Sequence, residues 1–189
     1  MVILGVDASF TRLGYTIIDT DAKSIYIDNL PGKRGNTFQT VFQNATIKAT
    51  ELIKVLKDYV IDYVIIEEPF IGREASEGLF LLDGIINYSL ILKGVKEIYN
   101  TNPSYLKTLH GFTYSKSDSV NLAKDLIGVY KSYGYSFNKK KYNDDESESF
   151  IFATRLFIRK HRDLKMLNDF YKVKDKLSLE KEKLLYLKK

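Results

Sequence analysis

The stretch that decides the fold reads Val2-Ile3-Leu4-Gly5-Val6-Asp7, followed after a short connection by Gly14-Tyr15-Thr16-Ile17-Ile18-Asp19. Val2 to Val6 is apolar and rich in β-branched residues, the pattern of a central strand, and it delivers Asp7 at its end. Gly14 to Asp19 reads as a second strand and Ser24 to Leu30 as a third. The tight connections Ser9–Leu13 and Asp19–Lys23 suit an antiparallel meander.

Beyond the third strand the period changes. Phe38, Phe42, Ala45, Ala49, Leu52, Ile53 and Leu56 recur at helical spacing and predict a helix over Thr37–Tyr59, capped by Asn36 or Thr37. Asp62–Ile66 is a fourth strand, ending in Glu67-Glu68, and Val95–Asn100 a fifth. Between them Glu74–Lys93 reads as a helix with two apolar stripes. One holds Phe80, Leu81, Ile85, Tyr88 and Leu92; the other holds Leu79, Leu82, Ile86 and Leu90. A helix so loaded is either deeply buried or shared between the core and a partner chain. A short helix after Pro103, a helix over Ser117–Tyr130, a basic loop over Lys139–Asn143 and a helix over Asp144–Arg162 follow. The expected fold is α/β, a mixed five-stranded sheet with three antiparallel strands first, flanked by helices. Residues 1–162 form the expected domain, and 163–189 a charged helical extension with an apolar stripe. The interleaved acids and lysines of that extension favour packing on the other protomer over a DNA clamp.

Composition narrows the function. The 189 residues include no Cys and two His, which excludes disulfides, thiolate metal sites and a cysteine nucleophile. No signal-peptide pattern opens the chain, and the longest apolar run, Leu79–Leu92, is interrupted by Asp83. The expectation is a soluble, cytoplasmic protein with no membrane partner. The net charge of +5 is unevenly spread: residues 1–138 carry 14 basic and 15 acidic groups, and residues 139–189 carry 15 and 9. A basic end is compatible with a phosphate polyanion as partner.

The candidate chemistry lies in acids at element ends. Asp7 closes one apolar strand and Glu67 another. Asp144, Asp145, Glu146 and Glu148 open a helix that continues as Phe150-Ile151-Phe152-Ala153. If the first and fourth strands are neighbours, Asp7 and Glu67 lie side by side, with Asp145 and Glu148 brought over them. Such a cluster repels itself unless a cation compensates it. An all-oxygen donor set selects Mg²⁺ or Mn²⁺, and two such ions are the usual machinery of phosphodiester hydrolysis. The bland reading covers Asp144 and Glu146 well, since acids in a first turn complement the helix dipole and Asn143-x-x-Glu146 resembles a capping box. It covers Glu148 poorly, because that residue lies beyond the first turn and leads an apolar stripe.

These motifs together resemble those of RuvC-type Holliday junction resolvases, and among them the bacteriophage members most closely. Ile3-Leu4-Gly5-Val6-Asp7 with Gly14–Ile18 is similar to their opening; Ile66-Glu67-Glu68-Pro69-Phe70 to their second motif; Asp144-Asp145-Glu146-Ser147-Glu148-Ser149 to their last. The resemblance spans roughly residues 1–160. It implies an RNase H-like fold, a homodimer, and Mg²⁺-dependent cleavage of four-way DNA junctions by paired nicks. Asp7, Glu67, Asp145 and Glu148 are then the metal ligands, with Asp144 as the alternate to Asp145. Departures are Glu148 where bacterial members more often have Asp, and Ala8-Ser9 in place of a common Pro-Gly. Phe70 matches an aromatic that approaches the junction in relatives, or it packs in the core or dimer.

Lys33, Arg34, Arg73, Lys107, Lys116, Lys139, Lys140 and Lys141 fall in or near loops on the expected catalytic side and are candidate DNA contacts. Lys116 matches a family lysine only with an offset. The helix over 74–93 is the candidate dimer interface, since a resolvase needs two active sites related by a two-fold axis. An actin-like or sugar-kinase ATPase opens with a similar strand–Asp–turn–strand motif, but the glycines after residue 100 (Gly111, Gly128 and Gly134) build no second phosphate loop. An RNase H-like nuclease of RNA–DNA hybrids or other branched DNA, and a non-catalytic junction-binding protein, remain the alternatives.

Overall fold

The computed structural model describes residues 1–69, 77–101 and 116–174. Strands β1 (Val2–Asp7), β2 (Arg12–Asp19) and β3 (Ser24–Pro31) come first, then helix α1 (Phe38–Val55), β4 (Tyr63–Glu67), α2 (Glu77–Leu92) and β5 (Glu97–Thr101). Helix α3 (Lys116–Ser132), β6 (Ser136–Phe137), α4 (Asp144–Lys160) and α5 (Leu164–Lys174) complete the described chain. The sheet runs β5-β4-β1-β2-β3-β6. The first three strands form the expected antiparallel meander, and β1, β4 and β5 are parallel. The sheet has six strands, one more than the sequence predicts. β6 is only two residues long and pairs with Ser24 and Ile25, too short to carry a periodic signal.

The alternation of β1 sorts two cores. Leu4 and Val6 join Leu13, Ile17, Leu52, Leu82 and Ile86 beneath α1 and α2. Ile3 joins Ile18, Tyr130, Phe150 and Phe157 beneath α3 and α4. Residues Ile3, Gly5 and Asp7 therefore share the α4 face. In β4, Val64 and Ile66 face α1 and α2 while Ile65 faces α4, which puts Glu67 on the same side as Asp7. Glycines at two crossing points let α4 lie directly on the sheet. A methyl on Gly5 would run into the Ser149 carbonyl and come within 2.8 Å of Ala153; one on Gly14 would run into the Asp145 carbonyl. A buried hydrogen bond, Thr16 Oγ1 to Ser149 Oγ at 2.9 Å, fixes the register.

The cap of α1 is Thr37, in a reciprocal capping box with Thr40. Met166 and Phe170 of α5 are buried in the Tyr130–Phe157 core, so this first part of the extension packs on its own domain, where the sequence reading has it on the other protomer. In α2 the stripe of Leu82, Ile86 and Leu90 is buried, while Phe80, Tyr88, Ile91 and Leu92 are exposed. Among the described residues no helix is long and apolar enough to cross a membrane.

Candidate active site

Parallel pairing of β1 with β4 sets Val6 beside Ile66, so the next residues, Asp7 and Glu67, leave the sheet together. Glu148 comes down from α4, one residue before the Ser149 that rests on Gly5. One carboxylate oxygen from each of Asp7, Glu67 and Glu148 lies within 4.8 Å of the others. Ser119 of α3, itself buried, donates to Glu148 Oε1 at 3.0 Å and orients it. An all-carboxylate set from three separate elements fits a hard divalent cation.

The other three acids of the helix start are differently engaged. Asp145 accepts from Arg12 Nε at 2.8 Å; Asp144 contacts Arg12 Nη2 at 3.6 Å and is ion-paired with Lys116. Glu146 is buried, closes a capping box with Asn143, and binds Lys139 at 2.6 Å. The bland reading of Glu146 therefore describes what it does. Lys139 also reaches Asp28 at 3.2 Å, so its ammonium is shared between two protein carboxylates. Lys140 and Lys141 are exposed, as are Lys33 and Arg34 in the segment leaving β3. That segment emerges at the same end of the sheet as Asp7, because β3 runs parallel to β1. Phe70, Arg73, Lys107 and the short helix expected after Pro103 lie outside the described residues.

Arg12, Ser119 and Lys48 are missed by the sequence reading. Arg12 opens β2, and only the antiparallel register, with Gly14 opposite Asp7, carries it past the acids. Lys48 had a signal: it falls on the apolar stripe of α1 with Ala45, Ala49 and Leu52. It is 2% exposed and donates to the Leu30 carbonyl. Burial lowers its pKa to about 8, against the opposing pull of Glu51 and Asp145.

Burial pushes Asp7 well above the usual carboxylate range, and the charges of Glu67, Glu148 and Asp145 push it further. Burial likewise raises Glu67 to about 7, with a hydrogen bond to Asp7 opposing and Glu148 adding to the rise. The folded chain thus keeps protons that the unfolded chain releases near pH 4–4.5. Below that range both states are protonated and nothing is lost. As pH climbs from there through about 7 Glu67 must ionise, and stability falls. A divalent cation offsets the repulsion. In EDTA the Tm should drop between pH 5 and 8, and Mg²⁺ should raise it by roughly several °C more at pH 8 than at pH 5. An equal Mg²⁺ shift at both pH values would contradict a cation held by these carboxylates.

No protein-family model matches the chain, and no curated protein matches it. Solved structures do. The fold is RNase H-like: a mixed sheet whose antiparallel β1-β2-β3 meander is flanked by parallel pairings on both sides, with helices on both faces. The Thermus thermophilus RuvC structure superimposes with a TM-score of 0.60 at 15% identity, covering 84% of this chain and 96% of that one. RuvC of the same organism in complex with Holliday junction substrate gives 0.60 and 15%, over 84% and 95%. Fowlpox virus resolvase with its substrate junction gives 0.46 and 17%, over 82% and 97%.

Proposed function

We propose that this protein is a divalent-metal-dependent endonuclease that resolves four-way DNA junctions by paired, symmetric phosphodiester hydrolysis. The observation that carries the reading is the convergence of Asp7, Glu67 and Glu148 at one end of an RNase H-like sheet. The RuvC that shares this fold is known with a Holliday junction substrate, which supports the same substrate here. Asp7, Glu67 and Glu148 hold the metal, with Asp145 as the fourth carboxylate and Asp144 its alternate. Two Mg²⁺ ions, or Mn²⁺ in their place, supply activation of water and neutralisation of the developing charge. The chain's own groups prepare the site. Ser119 aims Glu148, Arg12 holds Asp145 at the rim, and Lys116 and Arg12 offset the acids where a phosphodiester approaches.

A two-fold assembly through α2 fits the reading. The exposed Phe80, Tyr88, Ile91 and Leu92 provide an apolar face on a helix whose other side is already in the core. The partners are thus a second copy of this chain and branched DNA in the cytoplasm. The test is cleavage of a synthetic four-way junction, a linear duplex and an RNA–DNA hybrid, each with Mg²⁺, Mn²⁺ or EDTA. Paired metal-dependent nicks on the junction alone are expected. Preferred cutting of the hybrid would overturn junction resolution, and junction binding without cleavage would leave a non-catalytic junction-binding protein.

A further inference from the structure

Helix α3 touches the candidate active site at its start, through Lys116 and Ser119. One turn on, a different surface begins. Lys124, Ile127 and Lys131 recur at helical spacing on one face of α3, and the loop bearing Lys140, Lys141 and Tyr142 stands opposite. Between them lies an open groove of 490 Å³, and among the described residues none that lines it is acidic. Four exposed ammonium groups flank it, at Lys124, Lys131, Lys140 and Lys141. Lys139 forms its back wall, held there by Glu146 and Asp28, so it keeps the loop in place. Lys131 lies 5.8 Å from the Phe137 ring centre, which limits the arc its ammonium can sweep.

We propose that this groove is a phosphate-backbone track for duplex DNA, separate from the acid cluster and leading away from it along α3. The inference rests on the reading of the chain as a DNA nuclease. Three physical points carry it. Like charges concentrated on facing walls gain from a polyanion what they lose to one another, and among the described residues no carboxylate lines the groove to compensate them. The seven-residue step from Lys124 to Lys131 spans about 10 Å of helix axis, which matches roughly three phosphates of one strand. The floor of Ile127 and Tyr142 is apolar and suits sugar faces between phosphates. Since α3 begins at the acids, a strand whose scissile phosphate lies there is continued by the groove.

Lys124 and Lys131 are exposed and belong to no part of the metal site, so the double variant Lys124→Gln/Lys131→Gln should fold. Its affinity for a four-way junction and for a plain duplex should be measured across a salt series with the full chain in EDTA. Both should weaken roughly 10-fold at low salt, and the slope of log affinity against log salt should fall by about 2, because two phosphate contacts release fewer counterions. Cleavage of junction bound at saturating protein should be unchanged. Lys54→Gln/Lys57→Gln, at the end of α1 remote from the acids, should alter neither affinity nor slope. An unchanged slope for the α3 variant in a chain that binds DNA overturns the track alone. A wild-type chain that binds neither DNA overturns the track and the functional reading together.

Discussion

Asp7→Asn should reduce junction cleavage by roughly 1,000-fold or more while leaving junction binding intact. The side chain keeps its shape and loses its charge, and it is the most buried of the three converging acids, so nothing else at the site can take its place. A second readout separates this effect from misfolding. Without metal, Asp7, Glu67 and Glu148 repel one another inside a largely desolvated site, and burial is the main force lifting Asp7 and Glu67 out of the ordinary carboxylate range. Removing one charge should therefore raise the Tm in EDTA, while the additional stabilisation by Mg²⁺ shrinks. Glu67→Gln should behave alike. A variant that cleaves at the wild-type rate would remove these acids from the chemistry.

Gly5→Ala should be among the most damaging single substitutions in the chain, although it adds one methyl to a strand. That methyl points at α4, where it meets the Ser149 carbonyl and lies 2.8 Å from the Ala153 nitrogen. Both are backbone atoms, so no rotamer change relieves the clash and the helix itself must lift. Overpacking of this kind costs about 2–3 kcal/mol, which lowers the Tm by roughly 5–10 °C in a chain of this size. Activity should fall further than stability does. Glu148 rides on the same turn as Ser149, and displacing a site group by about 1 Å can lose roughly 100-fold in rate. Thermal melts and cleavage well below the Tm measure the two losses separately. A Gly5→Ala protein with wild-type Tm and rate would show that α4 does not depend on this contact.

Much of this arrangement is legible in the sequence because its signals are local. Asp7 and Glu67 each end an apolar strand, and Glu148 stands where a helix cap has no need of an acid. The strand alternation then assigns Asp7 and Glu67 to one face. What cannot be read locally is which charges meet across elements. Arg12 and Asp145 lie far apart in the chain and pair only because α4 rests on Gly14. Lys139 to Lys141 read as one basic run. The capping box turns Glu146 inward, and Lys139, half-buried, pairs with it while its two neighbours stay exposed. The two stripes of α2 were visible, but which one faces the core depends on the neighbouring α1. Strand β6 exists because β3 offers an edge, a property of the sheet and not of Ser136 and Phe137.

The three acids come from positions 7, 67 and 148, and the last rides on a helix seated over two glycines of the first strands. Folding order follows from that. Chains are synthesised from the N-terminus, and long-range contacts form after local ones. The meander and β4 can assemble while α4 is still being made, but they then hold Asp7 and Glu67 without a third acid. The complete cluster therefore appears in one late step, when α4 docks. A nascent or half-folded chain carries an incomplete carboxylate cluster, so a cation that needs all three acids is bound only by molecules that have reached their native topology.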